Sequence, residues 1–186
     1  TGYPDSSCEN LRGRLSELTG VPEDQMIFGN GAAELIFRLA QEVRPKKAVI
    51  PAPSFAEYET ALRSCGTETA FFYLKEAESF FLNISEFLDF LRAEQPEIIF
   101  LCTPANPTGA MIRQADLSKI LDYCKKHGIL LVLDECFVEF LDEERSCGCI
   151  REFLEWETGR PEHGGDLFLL RALTKTYAMA GLRLGY

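Results

Sequence analysis

The sequence predicts an α/β fold, a three-layer α/β/α domain built on a mostly parallel sheet. Two observations predict it. Short runs rich in β-branched and aromatic residues alternate with segments of helical periodicity along all 186 residues, the pattern of strands joined by helical crossovers. The runs at residues 98–102 and 129–133 are apolar almost without interruption, as expected of strands covered on both faces. No internal repeat, low-complexity tract or Ser/Gly linker divides the chain, and its length suffices for a core without disulfide or metal staples.

Taken in order, residues 25–28 read as a strand, and Gly29-Asn30-Gly31 turns into a helix. The apolar positions of that helix, Ile36, Leu39, Ala40 and Val43, fall at i, i+3, i+4 and i+7. A second strand covers residues 48–51. Ser54 is placed to cap the next helix, whose stripe is Phe55, Tyr58, Leu62 and Cys65 and which Gly66 ends. Residues 69–74 follow as a strand. Ser85 is expected to cap the helix carrying Leu88 and Leu91, and Pro96 separates it from the strand at 98–102. Leu117, Ile120, Leu121 and Cys124 mark another helix, which Gly128 stops before the strand at 129–133. A helix at 150–157, turns around Thr158 to Pro161 and His163 to Gly165, and a strand at 167–170 complete the pattern.

Composition narrows the partners. The chain is 46% hydrophobic and 26% charged, with a net charge of −10, which opposes binding to nucleic-acid phosphates or anionic membranes. The apolar runs fall far short of the roughly 20 residues that a membrane span needs, and no signal peptide is legible at the start. Seven cysteines, an odd number with several inside apolar runs, fit a reducing cytoplasm. Cys147 and Cys149 form the close pair, without a second pair at zinc-site spacing, so no metal is expected.

The polar residues that follow the strands carry the functional signal. Gly29-Asn30-Gly31 follows the first, Pro53-Ser54-Phe55 the second, Asn106-Pro-Thr-Gly109 the fourth, Asp134 the fifth and Lys175 the last. In a parallel sheet these positions gather at one edge, where ligands of open α/β sheets bind. Singly, each has a plain alternative. The glycine turn cradles a phosphate on free N–H groups or is only a tight turn; it is not a dinucleotide fingerprint, since Glu34 stands at the third glycine. Asn106 to Gly109 is also an ordinary β-turn, Asp134-Glu135 a solvated pair and Lys175 a surface residue.

As an ordered set they resemble the pyridoxal-phosphate enzymes of fold type I, the class I and II aminotransferase superfamily, over nearly the whole chain. The run Leu173-Thr-Lys-Thr-Tyr-Ala-Met-Ala-Gly-Leu-Arg-Leu-Gly-Tyr186 is most similar to threonine-phosphate decarboxylases, with histidinol-phosphate aminotransferases close by. Phe137 supports that order, since the aminotransferases usually carry Tyr there. The resemblance implies that Lys175 forms the internal aldimine and later shuttles a proton, its ammonium form disfavoured by Arg183 and partial burial. It implies that Asp134 pairs with the pyridine nitrogen, Asn106 donates to the 3′ oxygen and Phe55 stacks on the ring. The amides of Gly31, Ala32 and Ala33, together with Arg183, would bind the phosphate, and Tyr3 would reach the phosphate of a neighbouring subunit, making a homodimer.

Two departures accompany the match. Ala172 stands where relatives commonly carry a phosphate-binding hydroxyl, for which Thr174 is expected to compensate, and Phe137 lacks the phenolic donor. The implied activity is decarboxylation of L-threonine O-3-phosphate in cobalamin biosynthesis, with an aminotransferase and a non-catalytic α/β binding domain as alternatives. Residues 1–186 are expected to be the large, cofactor-binding domain, without the family's N-terminal arm and C-terminal small domain. The chain opens on Thr1 and stops after Gly181-Leu-Arg-Leu-Gly185, as an excerpt would. By itself such an excerpt is expected to expose apolar surface, bind cofactor weakly and show no turnover.

Overall fold

Five parallel strands form the centre of the molecule. The structure, a computed structural model, describes residues 5–141 and 167–186. The sheet comprises β2 (Lys47–Ala52), β3 (Glu68–Tyr73), β4 (Ile98–Cys102), β5 (Leu130–Asp134) and β6 (Leu167–Leu170), in the order β3-β2-β4-β5-β6. Every pair in it is parallel, with Ile98 opposite Leu130, Cys102 opposite Asp134 and Asp134 opposite Leu170. The carboxyl ends of the three strands β4, β5 and β6 therefore lie level at one edge.

Because successive side chains of a strand point to opposite faces, the central strands feed two cores. Val49, Ile99, Leu101, Leu131 and Leu133 pack with Leu15 of α1 (Glu9–Thr19), Phe87 and Leu91 of α4 (Ile84–Glu94), and Leu117 and Ile120 of α5 (Gln114–His127). Ala48, Ile50, Ile98, Phe100 and Val132 pack on the other face with Leu35 and Ile36 of α2 (Ala32–Val43) and Tyr58 and Leu62 of α3 (Ala56–Ser64). Burial of each large side chain contributes about 1.5–3 kcal/mol, and the two helical layers account for the uninterrupted apolar run of β4.

Two smaller strands lie apart from this sheet. The two residues of β1 (Gly29–Asn30) pair antiparallel with β7 (Leu184–Gly185), and a short helix, α6 (Leu173–Thr176), stands between β6 and β7. The strand expected at 25–28 is thus displaced. A 3-10 turn occupies Glu23–Gln25, and β7 reaches only Gly29 and Asn30 to supply pairing.

Both expected serine caps are also corrected. Phe55 takes the N-cap position of α3 without a side-chain cap, so Ser54 does not fill it. At α4 the cap is Asn83, whose Oδ1 accepts from the N–H groups of Ser85 at 3.2 Å and Glu86 at 3.3 Å. Ser85 lies inside that helix, because an asparagine placed earlier captures its amide first. The expected helix at 150–157, the neighbouring turns and the Cys147/Cys149 pair lie outside the described residues.

Candidate functional site

Anion-binding geometry is built where β1 turns into α2. Gly31 holds a φ of 78° at the N-cap, and its N–H donates to the Gly29 carbonyl at 2.8 Å. The first-turn amides of Ala32 and Ala33 then point along the helix axis without intrahelical acceptors, at the positive end of the dipole. Glu34 fixes this turn, its Oε2 accepting from the Asn30 amide at 2.6 Å and from Asn30 Nδ2 at 2.9 Å. Across from it, β7 brings Arg183 so close that a Cβ on Gly31 would meet Arg183 Nη2 at 2.9 Å. Gly185 is packed tighter still: a Cβ there would stand 2.5 Å from the Ala32 nitrogen. Glycines at both positions let a guanidinium and a helix N-terminus share one cup.

Beside the cup, the strand ends supply the remaining groups. Asp134, the last residue of β5, is 5% exposed. Its Oδ1 accepts from the Cys136 amide at 2.9 Å and its Oδ2 from the Tyr58 hydroxyl at 2.5 Å. Tyr58 is fully buried, with its ring stacked on Phe100 at 5.0 Å between centroids and edge-on to Phe55 at 5.6 Å. Burial and then the Asp134 charge push the Tyr58 phenol well above its ordinary range, so it is a neutral donor. The same two causes push the Cys102 thiol up to about 12 and raise Cys136, which leaves both thiols protonated and poorly nucleophilic.

Lys175 rises from α6 at the open side. Its side chain is exposed rather than partly buried as expected, and Nζ lies 5.6 Å from the centroid of Phe137. Behind the site, Arg171 donates through Nε at 3.0 Å and Nη2 at 2.7 Å to Glu135 Oε2, both residues being buried. Burial works against the guanidinium charge, but the Glu135 carboxylate and the Tyr186 phenol outweigh it and raise the Arg171 pKa. Breaking such a pair costs about 3–5 kcal/mol; with the backbone exchange between Arg171 and Tyr186 it fixes β7 against β6.

One open cleft is lined by Gly31, Ala32, Ala33, Phe55, Asn106, Asp134, Thr174, Lys175 and Arg183. These are the residues that the sequence nominated, with the exception of Tyr3, which lies outside the described residues. Phe137 and Ala172, the two departures, line it as well. Thr174 is buried. Tyr58, Cys102 and Cys136 also line the cleft and were not singled out. None of the three carried a local signal, since Tyr58 sits at the spacing of a buried helix stripe and the two cysteines stand at or just beyond the ends of apolar strands.

Comparison with known proteins bears on this cleft. The family model for aminotransferase class I and II matches residues 1–186. The threonine-phosphate decarboxylase of Salmonella typhimurium is 38% identical over 99% of this chain and 47% of its own length. A histidinol-phosphate aminotransferase from Ruminiclostridium cellulolyticum is 30% identical over 99% of the chain and 48% of its own length. Among solved structures, the histidinol-phosphate aminotransferase of Clostridium acetobutylicum matches 99% of the chain and 50% of its own, with a TM-score of 0.82 at 26% identity. The chain spans about half the length of the curated relatives it matches.

Proposed function

The chain belongs to the class I and II aminotransferase family of pyridoxal-phosphate-dependent enzymes, and from that premise we propose that the protein decarboxylates L-threonine O-3-phosphate, a reaction of cobalamin biosynthesis. The observation that carries the reading is the meeting of an anion cup, a buried carboxylate, an aromatic face and an exposed amine in one cleft. Those groups fit the cofactor's chemistry. A phosphate suits the cup that glycine leaves open at Gly31 beside Arg183, and a protonated ring nitrogen suits the acceptor Asp134.

When bound, pyridoxal phosphate supplies an electron sink for negative charge at the substrate α-carbon. The protein does the rest. The amides of Ala32 and Ala33 and the Arg183 guanidinium hold the phosphate, the Gly31 amide expected to join them being engaged by the Gly29 carbonyl, while Phe55 offers a stacking face and Asn106 a hydrogen-bond donor. Asp134 accepts from the ring nitrogen. Lys175 anchors the group through its amine and moves a proton at the substrate α-carbon. The higher identity to a decarboxylase than to an aminotransferase, together with Phe137 lacking a phenol at the cleft, favours loss of carbon dioxide over amino transfer.

In this reading residues 1–186 are most of a large cofactor-binding domain that works as a cytoplasmic homodimer, with Tyr3 reaching the partner's phosphate. Exposed Tyr177, Met179 and Leu182 beside Arg183 support a second copy as their cover; sedimentation of the complete protein as a monomer would overturn this. An aminotransferase acting on histidinol phosphate is the second reading, favoured by the fold likeness to the Clostridium enzyme. Incubating the complete protein with cofactor and threonine phosphate, and in parallel with histidinol phosphate and a 2-oxo acid acceptor, separates them. Carbon dioxide release without a keto product supports the decarboxylase, amino transfer supports the second reading, and neither product refutes both. In Lys175→Ala the visible absorbance of the bound cofactor is expected to vanish.

A further inference from the structure

Asp134 is held from behind, and the manner of holding assigns a task to a residue that the reaction itself does not touch. Its Oδ1 accepts from the Cys136 amide at 2.9 Å and its Oδ2 from the Tyr58 hydroxyl at 2.5 Å, and the protonated Cys136 thiol also donates to it. The first comes from the backbone two residues on, so it fixes one oxygen relative to the strand end. The second comes from a different element, α3, and fixes the rotation of the carboxylate plane. Tyr58 is itself immobilised, with no exposed surface, its ring stacked on Phe100 and edge-on to Phe55. A neutral phenol has a single proton to give, and here it gives it to Asp134. The carboxylate lines the cleft and, as an acceptor-only group, can take a further donor there.

We propose that Tyr58 is a positioning residue that aims Asp134 at the cofactor's ring nitrogen, so that the carboxylate meets it as an oriented acceptor and selects its protonated form. The proposal rests on the cofactor reading given above. Phe55 couples the same helix to the site a second time: one turn of α3 would set both the ring's stacking face and, through Tyr58, the partner of the ring's nitrogen. A cofactor that binds with its nitrogen out of line loses both at once.

The test is Tyr58→Phe in the complete protein, which removes one oxygen and keeps the ring in its stack. Two ligands are titrated by equilibrium fluorescence, pyridoxal phosphate and its analogue with C–H in place of the ring nitrogen. Loss of a hydrogen bond to a charged group should weaken pyridoxal phosphate by about tenfold. The analogue, with no nitrogen to meet Asp134, should bind wild type and variant alike, and the melting temperature of the cofactor-free proteins should be closely similar. Incorporation of 3-fluorotyrosine at position 58, which keeps the donor, should restore affinity and covers the case of a poorly folded phenylalanine variant. Equal weakening of both ligands, or no weakening of either, overturns the role of Tyr58 and leaves the cofactor reading standing. A wild-type protein with no Lys175-dependent absorbance overturns the cofactor reading and this inference with it.

Discussion

Gly31 is constrained twice, by a φ of 78° and by a guanidinium that would lie 2.9 Å from any Cβ placed there. Alanine at that position is strained in its backbone by roughly 1–3 kcal/mol and must displace Arg183. Gly31→Ala is therefore expected to weaken cofactor binding by more than about tenfold while lowering stability by that roughly 1–3 kcal/mol, read by fluorescence titration and urea unfolding. Unaltered affinity would show that the cup does not hold the phosphate. Most of this site was legible residue by residue, because Gly31, Asn106, Asp134 and Lys175 each stand at the end of a strand or within a few residues beyond it, where the apolar pattern stops. Tyr58 was not. Its spacing from Phe55, Leu62 and Cys65 is that of an ordinary buried stripe, its ring obeys that stripe, and only the hydroxyl departs from it to reach Asp134. The exposure of Lys175 was hidden for a related reason, since a four-residue helix gives no periodicity from which a facing side can be read.

At the level of the elements, α4 offers a direct comparison between two nearby polar residues. Asn83 caps the helix with two hydrogen bonds, whereas Ser85 contributes its amide and not a cap. Asn83→Ala should cost about 1 kcal/mol and Ser85→Ala much less, measured as shifts in the urea midpoint; the reverse order would restore the serine as cap. The strands at Ile98–Cys102 and Leu167–Leu170 coincide with their expected limits, and the others shift by a residue or so. Strands sealed between two helical layers must be apolar throughout, and that requirement is visible in one dimension. Segment 25–28 misled because a strand also needs a neighbour, and the one that comes near, β7, is supplied from residues 184–185, is only two residues long and reaches Gly29 and Asn30 alone. Pairing across that distance leaves no local mark in either segment.

For the molecule as a whole, several acidic groups are held neutral by full or partial burial, and their sum sets a pH dependence. Cys102 and Cys124 are raised from an ordinary value of 9.0 to about 12, chiefly by burial, and the Tyr58 and Tyr186 phenols are raised as well. A group whose folded pKa lies above its unfolded one keeps its full stabilisation below the unfolded value. Between pH 9 and 12 the unfolded thiols release protons that the folded ones retain, so stability falls as pH rises through that window. Urea midpoints should be level from pH 7 to 8 and decline above 9; a midpoint that rises there would contradict the burial of these groups.

The pairing of Gly29 with Gly185 has a temporal side. The turn that carries Gly31 leaves the ribosome early, while Arg183 and the strand that closes the cup against it are among the last of these residues to be made. A nascent chain can lay down β2 and β3 against α2 and α3 through near neighbours, yet the cup at Gly31 stays open until residues 183–185 return to it. Closure of the cup thereby waits on a long-range pairing rather than on the local contacts that form first.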